Sequence, residues 1–195
     1  MMDLIFASSN QHKLKEIIPL LPEHIHLKSL LDIGIHEDIP ETGNTIEENA
    51  ILKAQYVYSR TKLNCFSEDT GLEVASLKGA PGVHTARYAG EERDPNNNMN
   101  LLLQQLEGKL DRRARFKTVI ALFYKGKLEL FEGVINGAIA QEKIGLGGFG
   151  YDPIFIPEGF EDTFGILDGS IKQQLSHRSR AMNKLLEYLK SVGCF

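Results

Sequence analysis

The stretch that decides the fold is Leu4-Ile5-Phe6-Ala7-Ser8-Ser9-Asn10, close to the start of the chain. Its four apolar residues are typical of a short buried strand, and the three small polar residues end that strand. A helical pattern follows, with four apolar residues at the spacing of one helix face: Leu14, Ile17, Ile18 and Leu21. The chain is therefore predicted to open with a strand, a polar loop and the N-terminus of a helix.

Strand and helix patterns continue along the rest of the chain. Strands are predicted over residues 25–30, 115–124 and 128–134, and helices over residues 45–61, from Asp94 and from Ser176. Thr45 and Glu48 have the spacing of a capping box, and Asp94-Pro95 combines an N-cap acid with a proline at the first helical position. This mixture indicates an α/β or α+β protein, with a central mixed sheet flanked by helices.

The bulk properties exclude several classes of protein. The 195 residues suit a single domain over 1–195, and the net charge of −4 does not suit a general nucleic-acid binder. Two cysteines without metal-ligand spacing do not indicate a disulfide framework. The sequence shows no signal peptide and no apolar run near the length of about 20 residues that spans a membrane. We expect a cytoplasmic protein with no nucleic-acid or membrane partner.

The polar loop of Ser8, Ser9, Asn10, Gln11, His12 and Lys13 is the first candidate site. Backbone N–H groups at a helix N-terminus are free to bind an anion, and Lys13 adds a positive charge within the first turn. The loop lacks the glycines of a Walker A motif. It can bind phosphate, or it can be an ordinary helix cap with a solvated lysine.

Acidic residues form the second candidate site. Glu41 and the segment Glu68-Asp69-Thr70-Gly71 supply hard oxygen ligands of the kind that Mg²⁺ prefers, and a carboxylate there can also orient an attacking water. We expect the neighbouring acids Glu68 and Asp69 to follow an apolar strand. A solvated acidic turn is the alternative, and the spacing does not exclude Glu37 or Asp38 as ligands.

Two further segments suit the recognition of a nucleotide. The stretch Gly145 to Pro153 combines glycines, which let a backbone approach a ligand closely, with Phe149 and Tyr151, whose rings can stack on a base. Asp152 can accept hydrogen bonds from a purine. Lys172 and Ser176-His177-Arg178 can form an anion pocket near a helix start, although such a cluster is often only a solvated face.

No other local chemistry is indicated. The histidines do not form a zinc pattern such as H-E-x-x-H, and no G-x-S-x-G motif supports a serine nucleophile.

Taken in order, these segments resemble the inosine triphosphate pyrophosphatase family over nearly the whole chain. The most specific pieces are Glu41-Thr42-Gly43, Glu68-Asp69-Thr70-Gly71-Leu72, Gly79-Ala80-Pro81-Gly82, Thr85-Ala86-Arg87-Tyr88 and Gly147-Gly148-Phe149-Gly150-Tyr151-Asp152-Pro153. The resemblance implies an elongated α/β fold with two lobes and a cleft between them, in a homodimer. It also implies the Mg²⁺-dependent hydrolysis of ITP, dITP and XTP to the monophosphate and pyrophosphate, which cleans the nucleotide pool.

The same resemblance implies roles for individual residues. Ser8 to Lys13 would hold the triphosphate, Asp69 would be the general base and a metal ligand, and Glu41 would be the second metal ligand. The remaining substrate contacts would be Thr70, Phe149, Gly150, Tyr151, Asp152, Lys172, His177 and Arg178.

This chain departs from the pattern of many bacterial members at a few positions. It has Ser8-Ser9-Asn10 where they have Thr-Gly-Asn, and Glu68-Asp69-Thr70-Gly71 where they have Asp-Asp-Ser-Gly. The hydroxyls and the second acid are kept, but the identity of the second metal carboxylate, Glu41 or Glu68, stays open. A Maf-type nucleotide pyrophosphatase and a non-catalytic nucleotide-binding module remain as alternatives.

Overall fold

The computed structural model of the chain describes residues 2–194, and within that range it contains seven strands and five α-helices. The strands are β1 (Met2–Phe6), β2 (Ile25–Lys28), β3 (Cys65–Val74), β4 (Pro81–Gly82), β5 (Arg113–Tyr124), β6 (Lys127–Ile139) and β7 (Phe155–Pro157). The helices are α1 (Gln11–Ile17), α2 (Ile46–Thr61), α3 (Pro95–Gln105), α4 (Gly169–Leu175) and α5 (His177–Ser191).

All seven of these strands belong to one mixed sheet. The strand order is β2-β1-β3-β5-β6-β7, and β4 pairs with β3 outside that path. Strand β1 runs parallel to β2 and β3, whereas β4 is antiparallel to β3 and β7 is antiparallel to β6. Positive φ angles at Lys125 (47°) and Gly126 (83°) make the tight turn that joins β5 to β6. The predicted α/β architecture with a mixed sheet is therefore confirmed.

The described residues form two compact units. Unit 1 contains residues 2–69, 118–133 and 178–194, and unit 2 contains residues 70–117 and 134–177. The single domain predicted over 1–195 and the cleft predicted between two lobes both stay predictions.

Each unit has its own apolar core. In unit 1, the rings of Phe6 and Phe66 stack with their centroids 4.8 Å apart, and four residues of α5 pack into the same cluster: Ala181, Met182, Leu185 and Leu189. In unit 2, Phe155 contacts both Phe116 and Phe164, with ring centroids 4.7 Å and 5.7 Å away. Aromatic rings at these distances add attraction to the area that they bury.

Two helix starts lie where the local signals predict them. The Thr45 hydroxyl accepts a hydrogen bond from the Glu48 N–H at 3.0 Å, and the Asp94 carboxylate accepts one from the Asn97 N–H at 2.7 Å. The Glu48 carboxylate accepts from the N–H of Asn44, one residue before the position that a standard capping box uses. Both caps satisfy N–H groups that the helix itself leaves unpaired.

The acidic segment differs from the expectation. Glu68 and Asp69 were expected to follow an apolar strand, but β3 continues through them from Cys65 to Val74. Both are buried, with exposed fractions of 0% and 8%. Successive side chains of a strand point to opposite faces, so these two neighbours reach different partners. A buried carboxylate needs such a partner, because burial of an unpaired charge costs several kcal/mol, roughly, in free energy of unfolding.

Within residues 2–194, no helix combines the length and the apolar character that crossing a bilayer requires.

Candidate active site

The polar loop before α1 folds into a helix cap. The Asn10 side chain accepts hydrogen bonds from the N–H groups of His12 (2.9 Å) and Lys13 (3.2 Å), and the Ser8 hydroxyl accepts from the Asn10 N–H. Ser9 and Gln11 are exposed beside them. The cap therefore uses two of the N–H groups that were considered for phosphate, and Lys13 is the full positive charge that this loop contributes to unit 1.

Glu68 is the centre of a buried ion-pair network in unit 1. Its carboxylate accepts two parallel hydrogen bonds from Arg178, from Nε (2.8 Å to Oε2) and Nη2 (2.9 Å to Oε1), and Lys13 Nζ lies 3.1 Å from Oε1. Arg178 also donates to Glu16. Burial alone would raise the pKa of Glu68, but the charges of Arg178 and Lys13 outweigh burial and hold that pKa well below its usual range.

The second polar cluster of unit 1 contains Glu41, Lys53 and Asp69. Lys53 projects from α2, and its Nζ lies 2.5 Å from Glu41 Oε1 and 3.3 Å from Asp69 Oδ1. Burial raises the pKa of Asp69, although Lys53 partly offsets the effect. Burial would lower the pKa of Lys53, but the negative charges of Asp69 and Glu41 outweigh burial and raise it. Asp69 is thus a stronger base than an ordinary aspartate and is held in place by an ammonium group.

Glu41 and Asp69 are the residues of unit 1 that fit a Mg²⁺ ion. Among residues 2–194, no group of three or more His, Cys, Asp or Glu side chains could hold a metal. Mg²⁺ commonly takes one or two carboxylates and fills its other positions with water and phosphate, so a pair of carboxylates suits it. Glu68 fits less well, because Arg178 and Lys13 engage both of its oxygens. Glu37 and Asp38 are exposed, and Glu37 accepts a hydrogen bond from Tyr56.

In unit 2, the carboxylate of Asp152 accepts two hydrogen bonds that hold the glycine-rich loop of residues 145–153. Its Oδ2 accepts hydrogen bonds from the Phe149 N–H at 2.7 Å and from Lys172 Nζ at 2.6 Å. A Cβ added at Gly148, where φ is +74°, would lie 2.0 Å from the same oxygen. Glycine is therefore required there for the backbone to approach Asp152.

The two aromatic residues of this loop have different surroundings. Phe149 is half-buried, and Lys172 Nζ lies 4.6 Å from the centroid of its ring. Tyr151 is buried in the core of unit 2, and its hydroxyl donates to the carbonyl oxygen of Thr85 at 2.9 Å. Phe149 is therefore better placed to stack on a base, whereas Tyr151 anchors the loop to the core of unit 2.

The other predicted substrate residues also have defined places. Gly150 adopts a positive φ of 64°, and Thr70 lies half-buried in β3. His177 of unit 2 stacks on Phe116 with ring centroids 4.9 Å apart, and it is 5% exposed. Ser176, which precedes α5 as predicted, is also buried.

The predicted site residues thus form a separate cluster in each unit. Lys13, Glu41, Asp69 and Arg178 belong to unit 1 and have direct charged partners there. Phe149, Asp152 and Lys172 belong to unit 2 and contact one another. The first cluster contains carboxylates and cationic groups, and the second contains an aromatic ring, a hydrogen-bond donor and an acceptor.

Comparison with known proteins places the chain in a family. The model of the Ham1 family matches residues 4–188. The chain belongs to the Ham1 family. One Ham1 relative, the dITP/XTP pyrophosphatase of Christiangramia forsetii, is 54% identical over 188 residues, which cover 96% of this chain and 99% of that protein. The dITP/XTP pyrophosphatase of Bacillus subtilis is 41% identical over 195 residues, 98% of each chain.

Solved Ham1 structures have the same fold. The Ham1 protein of Staphylococcus aureus superposes with a TM-score of 0.90 at 37% identity, over 97% of this chain and 98% of that one. A HAM1 protein from Coxiella burnetii gives a TM-score of 0.91 at 37% identity, over 98% of this chain and 100% of its own.

Two residues of the ion-pair clusters in unit 1, Lys53 and Glu16, were not identified from the sequence. Lys53 carried a usable signal, because it lies on the same stripe of α2 as the buried residues Ala50 and Val57. A lysine on an apolar helix face needs a carboxylate partner, and Asp69 and Glu41 are such partners. Glu16 gave no such signal, because its partner Arg178 is 162 residues away in the sequence.

Proposed function

We propose that this chain is a Mg²⁺-dependent nucleoside-triphosphate pyrophosphatase that hydrolyses dITP, ITP and XTP to the monophosphate and pyrophosphate. The observation that carries the proposal is the buried carboxylate of Asp69. It forms an ion pair with Lys53, and the same ammonium also pairs with Glu41. The substrate class is that of the dITP/XTP pyrophosphatases that match nearly the whole chain.

In this proposal, Asp69 accepts the proton of a water that attacks the α-phosphorus of the triphosphate. The new bond joins the water oxygen to phosphorus, and the bond to the bridging oxygen breaks with both electrons on the pyrophosphate. Burial raises the pKa of Asp69, which makes the carboxylate a better proton acceptor near neutral pH. Glu41 and Asp69 would hold the Mg²⁺ ion, which neutralises phosphate charge when it is bound.

Cationic side chains would stabilise the leaving pyrophosphate. Lys13, in the first turn of α1, is fixed by Glu68 at 3.1 Å, so its ammonium does not have to be ordered when substrate binds. The exposed polar residues of the loop, Ser9, Gln11 and His12, would contact the outer phosphates. Positioning and charge stabilisation would supply most of the rate acceleration.

The cluster in unit 2 would recognise the purine. Hypoxanthine and xanthine present a 6-keto acceptor beside an N1–H donor, whereas adenine presents a donor beside an acceptor. Lys172 and Asp152, in contact at 2.6 Å, offer one donor and one acceptor, which match a 6-keto purine and leave buried groups unpaired with adenine. The ring of Phe149 would stack on the base.

A pyrophosphate-release assay tests this function. The intact protein is incubated with dITP, XTP, dATP, dGTP and dTTP, with Mg²⁺ and with EDTA. We expect release from dITP and XTP that requires Mg²⁺, and far slower release from dATP and dTTP. Release from dTTP in preference to dITP would point to a Maf-type pyrophosphatase, and binding of dITP without release would point to a non-catalytic module.

Two further properties are proposed with the function. We propose that the protein forms a homodimer, which light scattering coupled to gel filtration would measure directly. We also propose that it works in the cytoplasm, where the nucleotide pool lies, which fractionation of cells would test.

A further inference from the structure

Lys53 lies between the two carboxylates that would hold the metal. Its Nζ is 2.5 Å from Glu41 Oε1 and 3.3 Å from Asp69 Oδ1, and its side chain is only 8% exposed. Lys53 lies in the middle of α2, so its backbone is fixed and its ammonium can move only within the reach of the side chain. Both carboxylates lie within 3.3 Å of this one ammonium, and two like charges so close to each other repel when no cation lies between them.

We infer that Lys53 is a positioning residue. Its ammonium holds Glu41 and Asp69 together until a divalent metal displaces it. This inference rests on the Mg²⁺-dependent function proposed above. An ammonium and a divalent ion between the same two oxygens repel each other. Mg²⁺ needs oxygen ligands at about 2.0–2.1 Å, so its binding to both carboxylates excludes Lys53 from its present position.

This arrangement couples the metal to the anion that binds next. Metal binding breaks the buried ion pair of Lys53 with Asp69 and its partly buried ion pair with Glu41, which weakens the affinity for the metal alone. The displaced ammonium then lacks its carboxylate partners, and a buried ammonium requires another anion. A polyphosphate chain is the class of ligand that satisfies both the metal and the ammonium, so metal and polyphosphate should each favour the binding of the other.

Mn²⁺ titration of the nucleotide-free protein tests the inference, with paramagnetic resonance to count free Mn²⁺. We expect Lys53→Met to bind Mn²⁺ about tenfold more tightly than the wild type, because binding no longer breaks the ion pairs of a buried ammonium. Lys53→Arg keeps the charge and should keep the weak affinity. Lys15→Met is the control: it removes an exposed lysine of α1, so the affinity should change little. Equal or weaker Mn²⁺ binding by Lys53→Met would overturn the inference.

A second measurement uses the wild type alone, in case Lys53→Met does not fold. Amine acylation followed by mass spectrometry reports the reactivity of each lysine with and without saturating Mg²⁺. We expect Mg²⁺ to raise the acylation rate of Lys53 several-fold, while Lys172, a buried lysine paired with Asp152 in unit 2, stays unchanged as the reference. An unchanged or lower rate at Lys53 would contradict the displacement.

The two proposals can fail separately. If the wild type releases pyrophosphate from dITP but neither Mn²⁺ affinity nor acylation responds as described, only the role of Lys53 is wrong. If Lys53 behaves as expected and no pyrophosphate is released, the pyrophosphatase function is wrong.

Discussion

Glu68 of β3 and Arg178 of α5 lie 110 residues apart in the sequence and form a two-pronged ion pair whose side chains are 0% and 1% exposed. Glu16 of α1 accepts a further hydrogen bond from the same guanidinium. One arginine thus connects a strand and two helices of unit 1. An arginine in this position is needed as much for the fold as for any ligand.

Arg178→Met should destabilise the protein strongly. It leaves the fully buried Glu68 with only Lys13 as a cationic partner, and breaking a buried pair costs about 3–5 kcal/mol in free energy of unfolding. Urea unfolding followed by circular dichroism measures the loss. Arg180→Met, at an exposed position two residues further along α5, is the control and should change stability by less than about 1 kcal/mol.

The pH dependence of stability should reveal the same ion pair. The pKa of Glu68 is lowered on folding, so its contribution is complete above the ordinary pKa of 4.5 and is lost as the pH falls below that value. The free energy of unfolding should therefore fall more steeply below pH 4.5 in the wild type than in Glu68→Gln. Parallel curves for the two proteins would mean that Glu68 is not held as a carboxylate by Arg178 and Lys13.

Asp69→Asn should remove turnover and leave nucleotide binding largely intact. The amide keeps the size of the side chain and an oxygen that can still bind the metal, but it cannot accept the proton of the attacking water, so kcat should drop about 100-fold or more. Pyrophosphate release and calorimetric binding of a non-hydrolysable dITP analogue measure the two properties. Asp38→Asn, a change at an exposed acid, is the control. Turnover close to the wild-type value in Asp69→Asn would rule out this residue as the base.

Gly148→Ala and Gly150→Ala form a matched pair for the loop of unit 2. Both positions have a positive φ, of +74° and +64°, so both variants strain the backbone. A Cβ at Gly148 would meet Asp152 Oδ2 at 2.0 Å, whereas a Cβ at Gly150 would meet no atom within 4 Å. We expect Gly148→Ala to weaken binding of dIMP about tenfold more than Gly150→Ala does, because it displaces Asp152. Equal losses would show that the contact with Asp152 does not matter for the base.

The two cysteines should differ sharply in reactivity. Cys65 is 0% exposed, and burial raises the pKa of its thiol to about 12, whereas Cys194 is half-buried. At pH 8, iodoacetamide should label Cys194 and leave Cys65 unmodified until the protein unfolds. Mass spectrometry of the native and the urea-treated protein gives the result. Rapid labelling of Cys65 in the native protein would show that unit 1 opens more readily than its packing suggests.

The parts of the fold that local chemistry determines could be predicted from the sequence. Thr45 and Asp94 cap helices α2 and α3 where their spacing indicates, because a cap is formed by residues within one turn. The apolar run Leu4–Phe6 forms a buried strand for the same kind of local reason. The family was predicted from motifs in a fixed order rather than from any single residue, and the substrate class was implied by that resemblance alone.

The parts that depend on distant partners could not be predicted. Two adjacent acids in β3 look like a solvated turn until Arg178 and Lys53 are known to lie beside them. Tyr151 is a further case: the glycine-rich loop favours a ring that stacks on a base, but this ring is buried in the core of unit 2, where its hydroxyl donates to the carbonyl oxygen of Thr85, 66 residues away. The burial of a polar group is a property of the whole unit rather than of its neighbours in the sequence.

The buried polar residues of helix α2 limit how the protein can be stabilised by redesign. Its buried side includes Asn49 and Lys53 among alanine, valine and isoleucine residues. A redesign that scores only apolar burial would favour leucine or methionine at these positions, although loss of Lys53 alone would leave the buried Asp69 without this cationic partner. Such a design would remove the lysine that holds Asp69 and Glu41, and the asparagine whose Oδ1 accepts a hydrogen bond from the Gly43 N–H at 2.8 Å. A thermostable version of this enzyme should therefore keep these two polar residues and seek its gains elsewhere on the helix.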